Sequence, residues 1–308
     1  MIETIESVVA CGFDDYEHII VDDASSDGSF DLLKSFVQAV GLNVILVQND
    51  ENIGIKRSYE VALKIAQGKY IVSVADDLIV ADRVERDVKI LESNPNAWCC
   101  FGPVQYFDGV TGMLGKVQDP FPNIDEVLLL GSETMAFLLL DNNYIPAMSV
   151  TFRRSAYELI SIPDDFFIED YPLWIEAANA GFDFLYRPYL SAYYRSSEKS
   201  IQRKQKSLIC RDAFFSRCLL KSNKAVQHVY RESLWAFFFS QLLNLEKADF
   251  VRIVTYLFET ETSFFNGFRG AGIHLKRMFL KRLSRQPRLQ AGFEPQYRLW
   301  MLMRGTQS

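Results

Sequence analysis

Apolar residues follow two rhythms over the first hundred positions, and the rhythms take turns. IETIESVVAC (2–11) spaces its apolar residues along one helical face, and EHIIV (17–21) is a short β-branched run of strand type. FDLLKSFVQAV (30–40) returns to helical spacing and stops at Gly41. NVILVQ (43–48) predicts a second strand, IKRSYEVALKIAQ (55–67) a helix ended by Gly68, and KYIVSV (69–74) a third strand. DRVERDVKILES (82–93) is a further helix, closed by Asn94-Pro95. Strands and helices alternating at this spacing predict a parallel, doubly wound α/β sheet. Ligands of such sheets sit at the carboxyl ends of the strands. Two acid pairs, Asp22-Asp23 and Asp76-Asp77, stand just past such ends, so the pattern lines a crevice with carboxylates.

After residue 97 the pattern is less regular, with AWCCFGPVQYFD, a Gly-containing turn and the loop DPFPNID. SETMAFLLL (132–140) predicts a helix and SVTFRRSAY (149–157) a strand running into one. Another helix runs from about Asp170 to Ala180 before Gly181, followed by strands FDFLYR and LSAYYR. From residue 205 onward nearly everything has helical character, rich in Phe, Leu, Lys and Arg.

Charge divides the chain in the same place. The net charge is −6, yet residues 1–200 carry 14 Lys and Arg against 32 Asp and Glu, and residues 201–308 carry 19 against 7. An acidic front and a basic tail predict two regions with different partners. The five cysteines, Cys11, Cys99, Cys100, Cys210 and Cys218, lack metal-ligand spacing and are expected as buried free thiols of a reducing cytosol. No apolar run approaches the roughly 20 residues of a membrane span. The opening MIETIESVV has acids where a signal peptide carries Lys or Arg. A cytoplasmic location is expected, either soluble or on the inner membrane surface.

Five motifs, in order, are EHIIVDDASSDGS, ENIG, GKYIVSVADD, IEDYPLWIEAANAGF and YYR. Together they resemble the family 2 glycosyltransferases of bacterial surface-polysaccharide type, over about residues 1–200. The resemblance implies a GT-A fold, Rossmann-like with a mostly parallel nucleotide-binding sheet, over residues 1–200; residues 201–308, outside it, are expected from their own pattern as a basic, helical C-terminal extension. It also implies an inverting transfer of a sugar from a nucleotide-diphosphate donor to a saccharide or lipid-linked saccharide acceptor.

Each motif has its own chemistry. Asp22 and Asp23 can accept hydrogen bonds from a base N–H and ribose hydroxyls, Asp23 being the better base contact by resemblance. Asn52 of the ENIG turn belongs to the same nucleotide-sugar site. The structural alternative is that Asp22, Asp23 and Ser25 cap the helix beginning near Ser29. A leaving diphosphate needs a hard cation, Mn²⁺ or Mg²⁺, and carboxylates suit it. Asp77 falls where the family's metal-binding Asp lies; Ala75 replaces the first Asp of a DxD, and Asp76 is left for ribose or the metal's water. Asp170 is the expected base for the acceptor hydroxyl, with Glu169 holding the acceptor or tuning Asp170. The alternative for Asp170 is a helix start. Trp174 is expected as core rather than a sugar-stacking wall. Arg153 and Arg154 could grip an anionic acceptor or sit on a solvated helix start, and Lys56 and Arg57 could reach phosphate or face solvent.

Two departures from the family follow. Relatives begin with a strand before IETIESVV, so the first strand is expected to be missing here, through a misassigned start or a truncated, inactive copy. Relatives often place a His two residues after YR, where Ser197 stands, leaving fewer metal ligands or a diphosphate held by Arg195 and Lys199. Outside the resemblance, IHLKRMFLKRLSRQPRL (273–289) sets Leu275, Phe279 and Leu283 on one stripe among Lys and Arg, as a helix on an anionic membrane would. Packing on the acidic front is the equal alternative, and nucleic acid is not an expected partner. Two other functions stay open: an inactive relative serving as a binding or scaffold subunit, and a nucleotidyltransferase.

Overall fold

The computed structural model describes residues 1–196, 204–241 and 244–260. The chain runs α1 (Ile2–Val9), β1 (His18–Asp22), α2 (Ser29–Val40), β2 (Val44–Gln48), α3 (Ile55–Ile65), β3 (Tyr70–Val72) and β4 (Leu78–Ile79). Then come α4 (Arg83–Ser93), β5 (Ala97–Phe101), β6 (Val104–Asp108), β7 (Leu114–Gln118), β8 (Leu128–Leu130) and α5 (Ser132–Asp141). β9 (Thr151–Arg153), α6 (Arg154–Tyr157), α7 (Asp170–Asn179), β10 (Asp183–Tyr186) and β11 (Ala192–Ser196) follow. The described part of the tail is helical: α8 (Lys206–Cys218), α9 (Tyr230–Gln241) and α10 (Lys247–Thr260). The basic stripe at 273–289 lies outside the described residues, as do Ser197 and Lys199.

The described residues fall into two compact units, one of 1–118, 145–170 and 185–196, the other of 119–144, 171–184 and those from 204 onward. In the first unit β1 and β2 pair in parallel, Asp22 opposite Gln48, as a β-α-β crossover through α2 requires. β6 and β11 are also parallel. β9 instead runs antiparallel to both β3 and β5, and β4 runs antiparallel to β11. The sheets are therefore mixed, within the expected α/β class. The predicted strand 69–74 stops at Val72, because the Asp77 N–H donates to the Val74 carbonyl (3.1 Å) and Ala75 turns the chain at φ 52°.

The unit's core holds an ion cluster as well as hydrocarbon. α4 turns Arg83, Asp87 and Leu91 inward, one turn apart on one face. Asp87 accepts from Arg83 Nε (3.2 Å), Arg187 Nη2 (3.0 Å), Thr151 Oγ1 (2.6 Å) and Tyr189 Oη (2.9 Å). Burial works against its charge, but the two guanidinium groups hold its carboxyl below the ordinary range. Removing one member would strand a buried charge, which typically costs about 3–5 kcal/mol. α1 docks by Ile5 and Val8, and its Ser7 Oγ accepts the Ile79 N–H of β4 at 3.2 Å.

In the second unit Arg217 caps the end of α5, donating to the Leu140 (2.9 Å) and Asp141 (2.8 Å) carbonyls that a helix terminus leaves free. Its guanidinium stacks on Phe237, 3.9 Å from the ring centre. Phe214, Phe215 and Tyr256 pack edge to face between α8 and α10. Cys11, Cys99 and Cys100 are buried free thiols as expected; Cys210 and Cys218 are free but only partly buried. Among the described residues no helix is long and apolar enough to cross a membrane.

Candidate active site

The first acid pair organises a loop. Asp22 ends β1, 7% exposed, and its Oδ2 accepts the Ser25 N–H (3.0 Å) and Gln48 Nε2 (3.2 Å). Asp23 reaches the other way: Oδ1 accepts Asn49 Nδ2 (3.0 Å) and the Ile53 N–H (2.9 Å), and Oδ2 accepts the Gly54 N–H (2.9 Å). Burial raises the pKa of Asp23, but the bonds from Asn49, Ile53, Ser58 and Gly54 outweigh it and hold the carboxyl below its usual range. Asn52 Nδ2 donates to the Asp23 carbonyl at 3.2 Å. The strand end and the Asn-Ile-Gly turn are thus one polar cluster, which the chain leaves through Ala24 at φ 56°. Neither Asp caps α2: its N-cap is Gly28, and Asp27 accepts the Ser29 N–H.

The second acid pair sits on the turn between β3 and β4. Asp77 is 2% exposed, and its Oδ1 accepts the backbone N–H of Arg195 at 2.7 Å. Its Oδ2 and both carboxylate oxygens of the exposed Asp76 accept no hydrogen bond among the described residues. Burial, with the neighbouring Asp76 adding to it, pushes the Asp77 carboxyl up to about 7 against the opposing pull of Arg195. Arg195 also donates from Nε to the Asp76 carbonyl (2.8 Å), and it pairs with Glu3.

Glu169 and Asp170 enter from the start of α7. Burial first, and then the charge of Asp170, raises the pKa of Glu169. Tyrosines report where these charges converge. Tyr194 on β11 is pushed up to about 12 by burial and then by Asp77, Tyr106, Asp76 and Asp170. Tyr59 on α3, donating to or accepting from Ser73 Oγ at 2.9 Å, is raised by burial and by the fields of Glu169 and Asp170. Tyr106 packs against Tyr194 with ring centres 4.8 Å apart and the ring planes tilted by 59°. The charges of Asp76, Asp77 and Asp170 thus all bear on Tyr194, and that of Asp170 bears on Tyr59 as well. The sequence pattern does not single out these tyrosines, although the YYR motif contains Tyr194.

Several open alternatives close. Arg153 is spent on the carbonyls of Ala97 (2.9 Å) and Leu91 (2.6 Å), and Arg154 on the Gly68 carbonyl (3.0 Å) and Glu158 (2.8 Å). Lys56 is buried and pairs with Glu60 at 2.6 Å, whereas Arg57 is exposed. Trp174 is core. Among the described residues no three or more His, Cys, Asp or Glu side chains converge to hold a metal ion. The free oxygens of Asp76 and Asp77 fit a hard divalent cation that takes its remaining ligands from a phosphate and water.

A mixed α/β fold with one acid pair ending β1, another on the turn after β3 and a third, half-buried, at the start of a later helix is the architecture of nucleotide-dependent transferases. The chain belongs to glycosyl transferase family 2, whose description matches residues 1–159. It is 26% identical over 181 residues to a candidate teichuronic acid biosynthesis glycosyltransferase, TuaG of Bacillus subtilis (strain 168), covering 58% of this chain and 67% of that one. It is 25% identical over 210 residues to the Escherichia coli UDP-Glc:alpha-D-GlcNAc-diphosphoundecaprenol beta-1,3-glucosyltransferase WfaP, covering 67% of this chain and 76% of that one. Across the curated relatives the matched stretch spans between 37% and 76% of their length. In fold it is similar to S. aureus TarS 1-349 in complex with UDP (TM-score 0.56, 17% identity, 82% of this chain and 76% of that one). It is also similar to the mannosyltransferase PcManGT of Pyrobaculum calidifontis in complex with GDP-Man and Mn²⁺ (TM-score 0.51, 15% identity, 89% and 82%). The chain is a family 2 glycosyltransferase with a GT-A fold.

Proposed function

We propose that the chain is an inverting, metal-dependent glycosyltransferase that moves a sugar from a nucleotide-diphosphate donor to a saccharide or lipid-linked saccharide in surface polysaccharide synthesis. The observation that carries it is the buried Asp77, 2% exposed and anchored by the Arg195 N–H with Asp76 beside it, on the turn that follows β3. A desolvated carboxylate with a free oxygen, beside a second, exposed one, favours a bound cation. Asp77, with Asp76 beside it, would hold Mn²⁺ or Mg²⁺, which when bound neutralises the leaving diphosphate. Asp22 and Asp23 offer acceptors to ribose and base, Asp23 being the base contact, and Asn52, which donates to the Asp23 carbonyl, belongs to the same nucleotide-sugar site. Asp170 takes the acceptor's proton as its oxygen attacks the anomeric carbon, and Glu169 sets the proton affinity of the pair. In this reading residues 1–200 do the chemistry, and the basic segment 273–289 meets an anionic inner-membrane surface where a lipid-linked acceptor resides. The names of TuaG and WfaP support the polysaccharide and lipid-diphosphate sides of the proposal.

The test is release of nucleoside diphosphate from UDP-, GDP- and dTDP-sugars with Mn²⁺, on the chain and on Asp170→Asn. Release in the parent and its loss in the variant support the reading. Equal release in both contradicts the assignment of Asp170, and none in either contradicts the enzymatic reading.

A further inference from the structure

Arg195 is held in place by its surroundings. β11 pairs with β4, and α1 docks on β4, which brings Glu3 of α1 to the Arg195 guanidinium, Nη2 to Oε2 at 2.9 Å. The Arg195 stem lies on Gly109, where a Cβ would come within 2.9 Å of its Cγ, and its guanidinium sits 4.8 Å from the Phe107 ring centre. Nε is committed to the Asp76 carbonyl, while Nη2 is buried and makes no hydrogen bond among the described residues, Glu3 meeting it as an ion pair only. The partners are unequal: the Arg195 side chain is 14% exposed and that of Glu3 68%. A preorganised cation beside Asp76 and Asp77 is thus occupied by a carboxylate that is itself largely exposed.

We propose that Glu3 is an internal competitor for the donor: it occupies Arg195, the cation that the diphosphate of a nucleoside diphosphate would take, and is displaced when the diphosphate binds. This rests on the nucleotide-diphosphate reading of the site. Phosphate oxygens form charge-assisted, bidentate bonds with a guanidinium that Glu3 does not form here. The Asp77 anchor comes from the backbone N–H of residue 195, so side-chain substitutions at Arg195 leave it intact.

Calorimetry with UDP, GDP and dTDP and their monophosphates, in Mn²⁺, tests it on the parent, Glu3→Gln, Arg195→Met and the double variant, each checked for native melting. Glu3→Gln should tighten the diphosphate that binds by about two- to fivefold and leave its monophosphate unchanged. Arg195→Met should weaken the diphosphate about ten- to a hundredfold and the monophosphate much less. In the double variant the Glu3 substitution should have no further effect. A Glu3→Gln gain that persists without Arg195, no gain at all, or equal loss of both nucleotides in Arg195→Met would each overturn the proposal. A parent that binds no nucleotide would overturn the underlying functional reading instead.

Discussion

The backbone N–H of Arg195 donates to Asp77 Oδ1 across 2.7 Å, tying strand β11 to the turn that carries the second acid pair. One bond does not offset the loss of water, so the folded chain holds the Asp77 carboxyl up to about 7, against about 3.9 unfolded. The folded state therefore binds the proton more tightly. The cost is absent below about pH 4, grows as pH rises towards about 7, and is fully present above it, up to about 4 kcal/mol. Asp77→Asn keeps an acceptor for Arg195 and removes the charge. Its metal-free melting temperature should exceed the parent's by several degrees at pH 8 and match it near pH 4, as read by thermal scans across pH. Equal melting at pH 8 would mean that Asp77 carries no desolvation cost.

Asp23 latches the Asn-Ile-Gly turn through two backbone amides. Charge-assisted bonds of this kind are worth about 1.5–3 kcal/mol each. Asp23→Ala should therefore free the Ile53 and Gly54 amides to exchange at least tenfold faster, while amides of α4 keep their protection. Hydrogen exchange read amide by amide checks this, and unchanged protection would show that other contacts hold the turn.

Gly54 starts α3 at φ 86°, ψ 166°, a conformation that side chains rarely adopt, and a Cβ there would meet nothing within 4 Å. Gly54→Ala should cost about 1–3 kcal/mol through backbone strain alone. A denaturant midpoint shifted without change in slope is the expected signature.

Asp170→Asn should lower kcat about 10²–10⁴-fold while changing nucleotide-diphosphate affinity by less than about threefold. Parallel loss of binding would place Asp170 in the donor site rather than at the acceptor.

The alternation of helical and strand spacing located α1 to α4 and β1 to β3 because each short element buries one face in its own unit. The short strands β4 and β8 lack such a signal, being 2 and 3 residues long. That strand β3 ends at Val72 was hidden in an apolar run whose bend depends on Ala75 and on the Asp77 N–H, a matter of backbone angle rather than residue type. The acid pairs stood out as motifs, but what each does depends on partners distant in sequence. Asp23 finds Ile53 and Gly54, Asp77 finds Arg195, and Glu3 finds Arg195 across the sheet. The fate of Arg153 and Arg154, spent on backbone carbonyls, likewise needed the fold.

A metal-dependent donor site seated on Asp77 is tested by calorimetric binding of UDP, GDP and dTDP, each with and without Mn²⁺, to the chain and to Asp77→Ala. One nucleotide should bind only with Mn²⁺, and Asp77→Ala should abolish this while remaining folded by circular dichroism. Binding that is indifferent to Mn²⁺, or that survives in Asp77→Ala, would contradict Asp77 as the seat of a metal-dependent donor site.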